Sequence, residues 1–353
     1  MSVHQHKKLG FAVLGTGGIA KRHMKSISSH LGTELKAVCS LNAEKAEQAA
    51  KEFGAEAYFT DYRFILENKE VDAVIVATPD QLHAEHTIAA LEAGKHVMCE
   101  KPMALTVEEC KAMTDASLRT GKKLMLGLIC RFTPCFNLAM KMIEHGEIGE
   151  LFYIEAEYAH EVENMGEGNW RIDPVRLRHP VIGGGSHAID LMIWAAGKPY
   201  EVSAFTSKKV KKDWPMEDFT AALMRFPDDV IGRLLVSFGV TNYPGISVTY
   251  YGNKGTIYTS NKWTHVKIHK RSILPGERLF EDAMDKTIAL LHPVEVNHHN
   301  TDKELEEFIN SILNDTPVLL DGNLGTAAVA VARACLESAA SRKIIEVDYD
   351  FMK

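Results

Sequence analysis

The chain has 353 residues and a formal net charge of -7, with 46% hydrophobic and 25% charged residues. At roughly 150 residues per domain, this length predicts about two domains. A mildly acidic chain whose lysines are scattered lacks the concentrated basic face that nucleic-acid binding requires. No apolar run approaches the ~20 residues that span a bilayer. Neither a nucleic acid nor a membrane is therefore expected as a partner.

The cysteine pattern and the first residues bear on the compartment. None of the six cysteines forms a CxxC pair, so neither a zinc site nor a disulfide framework is indicated. Cys39 and Cys99 end apolar runs and are expected to be buried thiols, which fits a reducing compartment. The start of the chain does not resemble a secretory signal. A cytoplasmic protein is expected.

The first third of the chain alternates short apolar runs with helical patterns. Strands that are apolar throughout, separated by helices, are typical of a parallel sheet covered on both faces. The sequence therefore predicts a doubly wound α/β domain over residues 1–128. The predicted strands are 9–14, 35–39, 73–77, 96–99 and 123–127, and the predicted helices are 17–30, 43–53, 84–93 and 107–120.

The pattern changes near Arg131, where longer strands with period-two alternation begin. Turn sequences at 226–232 and 252–255 separate several of them. Residues 129–353 are therefore predicted to form a second α/β domain with a large, mostly antiparallel, open sheet. Its predicted strands are 151–160, 201–210, 218–226, 231–240, 247–251, 263–270 and 343–347, and its predicted helices are 133–145, 301–314 and 325–341.

A glycine-rich turn follows the first predicted strand. In this GxGxxA pattern Gly15 permits a tight turn, Gly17 lets the backbone approach a pyrophosphate, and Ala20 lets the helix pack on the strand. The start of the helix then offers N–H groups to phosphate oxygens. Dinucleotide binding on a Rossmann fold is preferred to a plain strand–helix turn. The residues expected at the cofactor are Gly15, Thr16, Gly17, Gly18, Ile19 and Ala20.

The tip of the second strand bears on the choice of dinucleotide. NAD-binding members of this fold often carry a carboxylate there for the ribose 2′-hydroxyl. Here Ser40 stands at the tip, and Lys45 lies one helical turn further on, with Arg22 as a further basic candidate. This favours NADP(H) over NAD(H). The alternative is that Lys45 is an ordinary solvated helix charge.

Two further segments follow predicted strands of the same parallel sheet. Thr78-Pro79 opens the segment TPDQLH, and Glu100-Lys101-Pro102 follows the run HVMC. Because the carboxyl ends of parallel strands meet at one edge, both segments are expected beside the glycine-rich turn, where such sheets bind ligands. Lys101 can act as a general base near neutral pH if its surroundings lower its pKa. The alternative is a surface lysine.

The segments GTGGIAKRH, ATPDQLHAEH and AGKHVMCEKPMA, followed by GELFYIEAEY and NWRIDP, resemble the glucose–fructose oxidoreductase/inositol dehydrogenase family, called Gfo/Idh/MocA. The resemblance covers nearly the whole chain. It implies a Rossmann domain plus an α/β domain, an NAD(P) cofactor, sugar or polyol substrates, and a homodimer or homotetramer. Lys101 matches the family's catalytic lysine. The positions that match its cofactor site are Gly15, Gly17, Thr78, Pro79, His83, Glu100 and Lys101.

The sequence departs from the family pattern in the second domain. Many relatives carry an aspartate four residues before a substrate-facing histidine; His187 matches the histidine, but Gly183 stands at the aspartate position. His179 could compensate, although a loop histidine is expected to be solvated. Arg171, beside Trp170, matches a position near the active-site mouth and could contact the cofactor or substrate, or form a structural ion pair.

Several histidines have spacings that could suggest a metal site. His83 and His86, the pair His298–His299, and His160 near two glutamates show no third ligand by spacing, so no metal is predicted.

The sequence therefore predicts an NAD(P)-dependent dehydrogenase or reductase that acts on CH–OH groups of a sugar or polyol. Lys101 is expected to be the general acid/base and His187 to bind an adjacent hydroxyl or share the proton relay. Two alternatives on the same fold are a dinucleotide-sensing regulator and a glycosidase that uses bound NAD.

Overall fold

The computed structural model describes residues 8–162, 170–173, 178–241, 245–271 and 287–350. They form two compact units. The first comprises 8–128 together with 300–329, and the second comprises the described parts of 129–299 and 330–350. This differs from the sequence expectation, which assigned residues 300–329 to the second domain.

The described residues contain fifteen strands, which form two sheets. The strands are β1 Leu9–Leu14, β2 Thr33–Cys39, β3 Ala57–Phe59, β4 Ala73–Val76, β5 His96–Glu100, β6 Leu124–Gly127, β7 Leu151–Ala159, β8 Glu201–Ser207, β9 Phe219–Arg225, β10 Ile231–Ser237, β11 Gly245–Gly252, β12 Gly255–Ser260, β13 His265–Arg271, β14 Thr287–Pro293 and β15 Ile345–Glu346. In the first unit every pairing is parallel, in the order β3-β2-β1-β4-β5-β6. The doubly wound parallel sheet predicted from the apolar runs is confirmed.

The same described ranges contain ten α-helices. They are α1 Gly18–Ser29, α2 Ala43–Phe53, α3 Arg63–Glu67, α4 His83–Glu92, α5 Val107–Thr120, α6 Pro134–Glu144, α7 Pro180–Gly183, α8 Gly185–Ala196, α9 Thr301–Leu313 and α10 Gly322–Ser341. Local signals set several ends. The Asn42 side chain caps α2, and Thr106 and Glu109 form a reciprocal capping box on α5. Gly54 ends α2 in the left-handed conformation that glycine tolerates best.

The packing of α9 explains why residues 300–329 belong to the first unit. Leu305, Phe308 and Ile309 form a buried stripe at helical spacing. The Phe308 ring meets the edge of Phe11, on the central strand β1, at a centroid distance of 6.2 Å. On α1, the Ser26 hydroxyl lies 2.8 Å from the Thr301 hydroxyl. This helix thus packs on β1 and α1 and covers part of the parallel sheet.

The second unit contains a nine-stranded sheet in the order β14-β13-β12-β11-β7-β10-β9-β8-β15. Its pairings are antiparallel except for β10 with β7, so the predicted large, mostly antiparallel sheet is confirmed. The predicted turn at 252–255 joins β11 to β12. The sequence patterns did not predict β12 and β14 in this sheet, the helices α7 and α8 of the same unit, or β3 and α3 in the first unit.

The two faces of this sheet differ in burial. On one face, four apolar side chains are fully buried and pack toward α8. They are Ile154, Ala156, Leu234 and Val236. The other face is half-buried and mixed in character. It carries polar side chains such as Glu155 alongside apolar ones.

Two observations bear on the environment of the protein. Among the described residues, the helices are too short or too polar to cross a membrane. All six cysteines are buried free thiols, as expected for Cys39 and Cys99.

Candidate active site

The glycine-rich turn joins β1 to α1 in the form that a dinucleotide requires. Gly15 has a φ of 113°, and a Cβ at this position would lie 2.2 Å from the Ala77 carbonyl oxygen. Only glycine fits there. Gly17 and Gly18 face open space, and Gly17 supplies no capping side chain to α1. The turn therefore leaves room and backbone N–H donors for a pyrophosphate, and the residues present fit a dinucleotide.

Ser40 lies beside this turn. The Thr16 hydroxyl is 3.2 Å from the Ser40 hydroxyl, and the Ser40 amide donates to the Phe59 carbonyl at 3.1 Å. Lys45, in the first turn of α2, is exposed, as is Arg22 on α1. Ser40 is thus held at the tip of β2, and both cations stay accessible to a ligand.

A carboxylate that the sequence analysis missed follows β3. Asp61 bonds the Arg63 guanidinium at 2.9 Å, and burial together with the Asp61 charge raises the pKa of the Cys39 thiol to about 11. Because β3 pairs with the end of β2, Asp61 lies near the predicted ribose side of the site. Three-residue strands give too short a pattern to be recognised in a sequence, which is why this neighbour was not found.

His83 connects the loops that follow β4 and β5. Its Nδ1 lies 2.8 Å from the Pro102 carbonyl oxygen, and its Nε2 lies 3.0 Å from the Thr78 carbonyl oxygen. Carbonyl oxygens only accept hydrogen bonds, so both ring nitrogens must donate and the ring is an imidazolium. At 1% exposure it has little surface for a ligand. His83 thus bridges the Thr78-Pro79 and Glu100–Pro102 segments.

The electrostatics of His83 agree with this geometry. Burial alone would lower its pKa, but Cys99, Asp80 and the Pro102 carbonyl outweigh that effect and raise the pKa of His83 to about 10. The opposite case is His96, whose pKa is lowered to about 4 by burial and by Lys122 and Lys123.

The opposite pKa shifts of His83 and His96 predict that the protein is most stable near neutral pH. The folded pKa of His83 lies above its unfolded value, so its contribution is complete below about pH 6.5 and is lost as pH rises toward 10. The folded pKa of His96 lies below, so its contribution is lost as pH falls from about 6.5 through 4. Unfolding free energies from denaturant titration should therefore fall on both sides of neutrality.

The two substitutions serve as controls for each other. We expect His83→Gln to reduce the fall in unfolding free energy above neutral pH and to leave the fall below neutral pH unchanged. His96→Gln should do the reverse. A fall above neutral pH that is unchanged in His83→Gln would show that the folded ring is neutral.

Glu100 and Lys101 end the neighbouring strand β5. Glu100 is 7% exposed; its Oε1 accepts from His23 Nε2 at 2.8 Å, and its Oε2 accepts from the Lys101 amide at 3.2 Å. Burial opposes ionisation of this carboxyl, but His23 and Lys101 outweigh it and hold the pKa of Glu100 below its ordinary value. Glu100 is therefore a buried anion that orients the lysine-bearing turn.

His187 lies in the first turn of α8, in the second unit. It is 5% exposed, and its ring lies nearly parallel to that of Tyr158, with centroids 6.3 Å apart. A Cβ at Gly184 would lie 2.2 Å from Tyr158, so this close approach requires glycine. Lys101 belongs to the first unit and His187 to the second.

An arginine side chain lies against Gly183, the position at which the family resemblance implied an aspartate. A Cβ on Gly183 would lie 2.6 Å from Arg178 Nε and 2.8 Å from its Cζ. The Arg178 guanidinium also lies 5.1 Å from the Trp170 ring, and that of Arg171 lies 4.4 Å from it. The absence of a carboxylate at 183 is thus accompanied by a cation in its place.

His179 is not the solvated loop residue that the sequence analysis expected. It is 6% exposed, because its Nδ1 accepts from the Val181 amide and caps α7. Its Nε2 lies 3.5 Å from a Glu217 carboxylate oxygen. Burial lowers the pKa of His179 to about 4, although Glu217 opposes this. A largely neutral capping histidine is a poor substitute for the missing carboxylate.

The parallel sheet and its glycine-rich turn define a dinucleotide-binding α/β protein. Residues 9–128 match the model of the oxidoreductase family GFO_IDH_MocA, NAD-binding Rossmann fold, and residues 140–347 match its C-terminal alpha/beta domain. The chain belongs to this family, as the sequence motifs indicated.

Named relatives and solved structures agree with this assignment. Levoglucosan dehydrogenase of Pseudarthrobacter phenanthrenivorans is 37% identical over 183 residues, which cover 49% of this chain and 45% of that protein. The chain thus spans about half the length of this relative. D-glucoside 3-dehydrogenase of Escherichia coli is 25% identical, with 96% of this chain and 97% of that one covered. A structure of levoglucosan dehydrogenase in complex with NADH shares the fold, with a TM-score of 0.86 at 24% identity over 97% of this chain and 100% of that one.

Proposed function

We propose that this protein transfers a hydride between a nicotinamide dinucleotide and a hydroxyl-bearing carbon of a sugar or polyol. One observation carries the proposal. Strands β1, β4 and β5 are adjacent in a parallel sheet, so the segments that follow them emerge at the same edge of that sheet. These segments are the Gly15–Ala20 turn, the Thr78-Pro79 loop and the Glu100–Pro102 turn. Ligands bind at this edge in open α/β sheets. The dehydrogenase names of the relatives support the same reaction class.

The proposed roles follow from the chemistry of each group. The dinucleotide, when bound, supplies the hydride acceptor or donor. The Gly15–Ala20 turn would hold its pyrophosphate. Lys101 would remove the hydroxyl proton during oxidation and return it during reduction. His187 would bind a neighbouring hydroxyl, and Arg171 would contact the cofactor or the substrate.

The test is a screen of the purified full-length chain against sugars and polyols with both oxidised dinucleotides, followed by the absorbance of the reduced nicotinamide. Turnover that depends on both components supports the proposal. Sugar release without a net change in absorbance would indicate the NAD-dependent glycosidase. Tight dinucleotide binding with no turnover of any substrate would indicate a sensor.

The cofactor is proposed to be NADP(H), because Ser40 and Lys45 stand where an acidic tip would favour NAD. We expect Ser40→Asp to weaken NADP binding at least tenfold, since a carboxylate would face the 2′-phosphate. Dissociation constants for both dinucleotides provide the measurement, with NAD as the internal control. Equal or tighter NAD binding by the unaltered protein would reverse the assignment. The similar structure of levoglucosan dehydrogenase is a complex with NADH.

The half-buried face of the second sheet is proposed to form a homodimer or homotetramer interface. Phe205 is 75% exposed and Leu223 is 54% exposed on this face, beside an ion pair of Arg233 with Glu155 at 3.0 Å. Light scattering should give a multiple of 39.2 kDa at micromolar concentration. Leu223→Arg should lower the mass, whereas Leu118→Arg, at an exposed position on α5, should not. A 39.2 kDa particle would contradict the proposal.

The compartment is proposed to be the reducing cytoplasm. Its support is the burial of all six cysteines as free thiols.

A further inference from the structure

A buried cluster of two carboxyls and one imidazole lies beside the turn that carries Lys101. It consists of His23 from α1, Glu100 from the end of β5 and Glu304 from the first turn of α9. One nitrogen or oxygen atom from each lies within 4.8 Å of the others, and Glu304 is 0% exposed. The proposed reaction gives no role to His23 or Glu304, although both lie in the dry interior of the unit that binds the dinucleotide.

The hydrogen bonds show where the negative charge resides. Glu100 accepts one bond from His23 and another from the Lys101 amide. Among the described residues, neither Glu304 oxygen has a hydrogen-bond partner. Two carboxylates this close in a water-free site cannot both be ionised at neutral pH, so one of them keeps a proton. Because Glu100 has the donors, the proton belongs to Glu304.

The pKa directions agree with this distribution. Burial first, and then the Glu100 charge, raise the pKa of Glu304 well above its usual value. The groups that face the cluster are His23 from α1, Lys101 from the β5 turn and the two glutamates themselves. The Lys101 charge lowers the pKa of Glu100, and by the same attraction Glu100 favours the charged form of the lysine.

We propose that Glu304 is the protonated member of this carboxyl pair, so that the single negative charge of the two carboxyls stays on Glu100, beside the turn that carries Lys101. Glu100 is held by hydrogen bonds from His23 and from the Lys101 amide, and the uncharged Glu304 carboxyl lies within 4.8 Å of it without a hydrogen bond. A fixed anion sets how readily the lysine gives up its proton. The proposal for Glu304 rests on the proposed function only in that Lys101 is taken as the acid–base group.

The same three side chains could instead hold a divalent cation. A cation requires both carboxylates ionised and the His23 Nε2 lone pair directed at the metal. The 2.8 Å separation of His23 Nε2 and Glu100 Oε1 is that of a charge-assisted hydrogen bond, in which this nitrogen carries the hydrogen. The proton therefore accounts for the geometry, and the cation is an outcome of the test.

The experiment compares Glu304→Gln, Glu304→Ala and the matched control Glu306→Gln in the full chain, purified with and without dinucleotide. Glu306 lies on the same helix but is exposed. Infrared spectra above neutral pH report the carbonyl stretch of a protonated carboxyl. An NMR titration of protein with ¹³C-methylated lysines reports the pKa of Lys101, whose signal is assigned by its loss in Lys101→Met. Neither measurement needs a substrate.

The protonated-carboxyl band is expected in the unaltered protein and in Glu306→Gln, and is expected to disappear in Glu304→Gln. Glu100→Gln should lower the pKa of Lys101 by about one to three units. Glu304→Gln and Glu304→Ala should both leave the pKa of Lys101 nearly unchanged, because each replaces one uncharged side chain with another.

Three results would overturn the proposal: a band that persists in Glu304→Gln, a Lys101 pKa that falls as far in Glu304→Gln as in Glu100→Gln, or one metal ion per chain that is lost in Glu304→Gln. If Glu304→Ala does not fold, the glutamine variant still decides the location of the proton. Failure of the dehydrogenase screen alone would contradict the proposed function and leave the infrared and NMR results standing.

Discussion

Lys101→Met is expected to lower kcat by ~10²- to 10⁴-fold, which is the usual contribution of a positioned acid–base group. Methionine has nearly the length of lysine but cannot transfer a proton. Dinucleotide affinity should stay nearly unchanged, because the pyrophosphate would be held by the Gly15–Ala20 turn on another strand. Steady-state kinetics with the substrate found in the screen, together with a dinucleotide titration, provide the measurement.

His187→Asn is the comparison variant for this prediction. Asparagine keeps a hydrogen-bond donor, and no carboxylate at Gly183 supports His187 as a strong base. We expect a smaller loss in kcat and a larger rise in KM than for the Lys101 variant. An inactive His187→Asn enzyme combined with near-normal turnover in Lys101→Met would exchange the two proposed roles.

Asp190→Ala is expected to reduce the free energy of unfolding by about 3–5 kcal/mol, the range for removing one partner of a buried ion pair. Asp190 is 1% exposed. Its carboxylate accepts hydrogen bonds from Arg131 Nε at 3.0 Å and from Arg131 Nη2 at 2.6 Å. Burial raises the pKa of Asp190, and the Arg131 charge offsets only part of this rise. Removing one partner would leave the other charge buried without compensation. Denaturant unfolding measures the loss.

An exposed ion pair provides the control for this prediction. Arg225, 58% exposed at its side chain, lies 3.1 Å from Glu201, and Glu201→Ala should cost less than about 1 kcal/mol. The double variant Arg131→Leu with Asp190→Leu should be more stable than the sum of the single losses predicts, because no charge is left buried alone. Additive losses would show that the two side chains do not depend on each other.

The parallel sheet could be predicted from the sequence because its strands are continuous apolar runs. The strand β4, for example, is buried at every residue. The strand β3 and helix α3 were missed for the opposite reason, since Tyr58 and Phe64 are 44% and 56% exposed and the segments are too short for periodicity. The partner of α9 was also beyond the sequence: its apolar stripe is plain, but a stripe does not say which sheet it covers.

The candidate site shows the same division between chemistry and placement. The glycine-rich turn and the Glu100–Pro102 segment are local motifs, so their residues could be named in advance. Glu304 could not, because in ELEEF it resembles any solvated helix glutamate, and only the fold brings it within 4.8 Å of Glu100. Arg178, likewise, lies beside Gly183 through a tertiary contact that no spacing in the sequence indicates.

The return of residues 300–329 to the first unit has a consequence for biosynthesis. The chain leaves this unit at residue 128 and comes back only at residue 300. On the ribosome, the α1 and β1 surface that meets Phe308 must therefore wait, with Phe11 uncovered on that side, until the intervening 129–299 has been made. A nascent or prematurely ended chain would display this apolar surface to chaperones and proteases, whereas the finished chain covers it with its own α9.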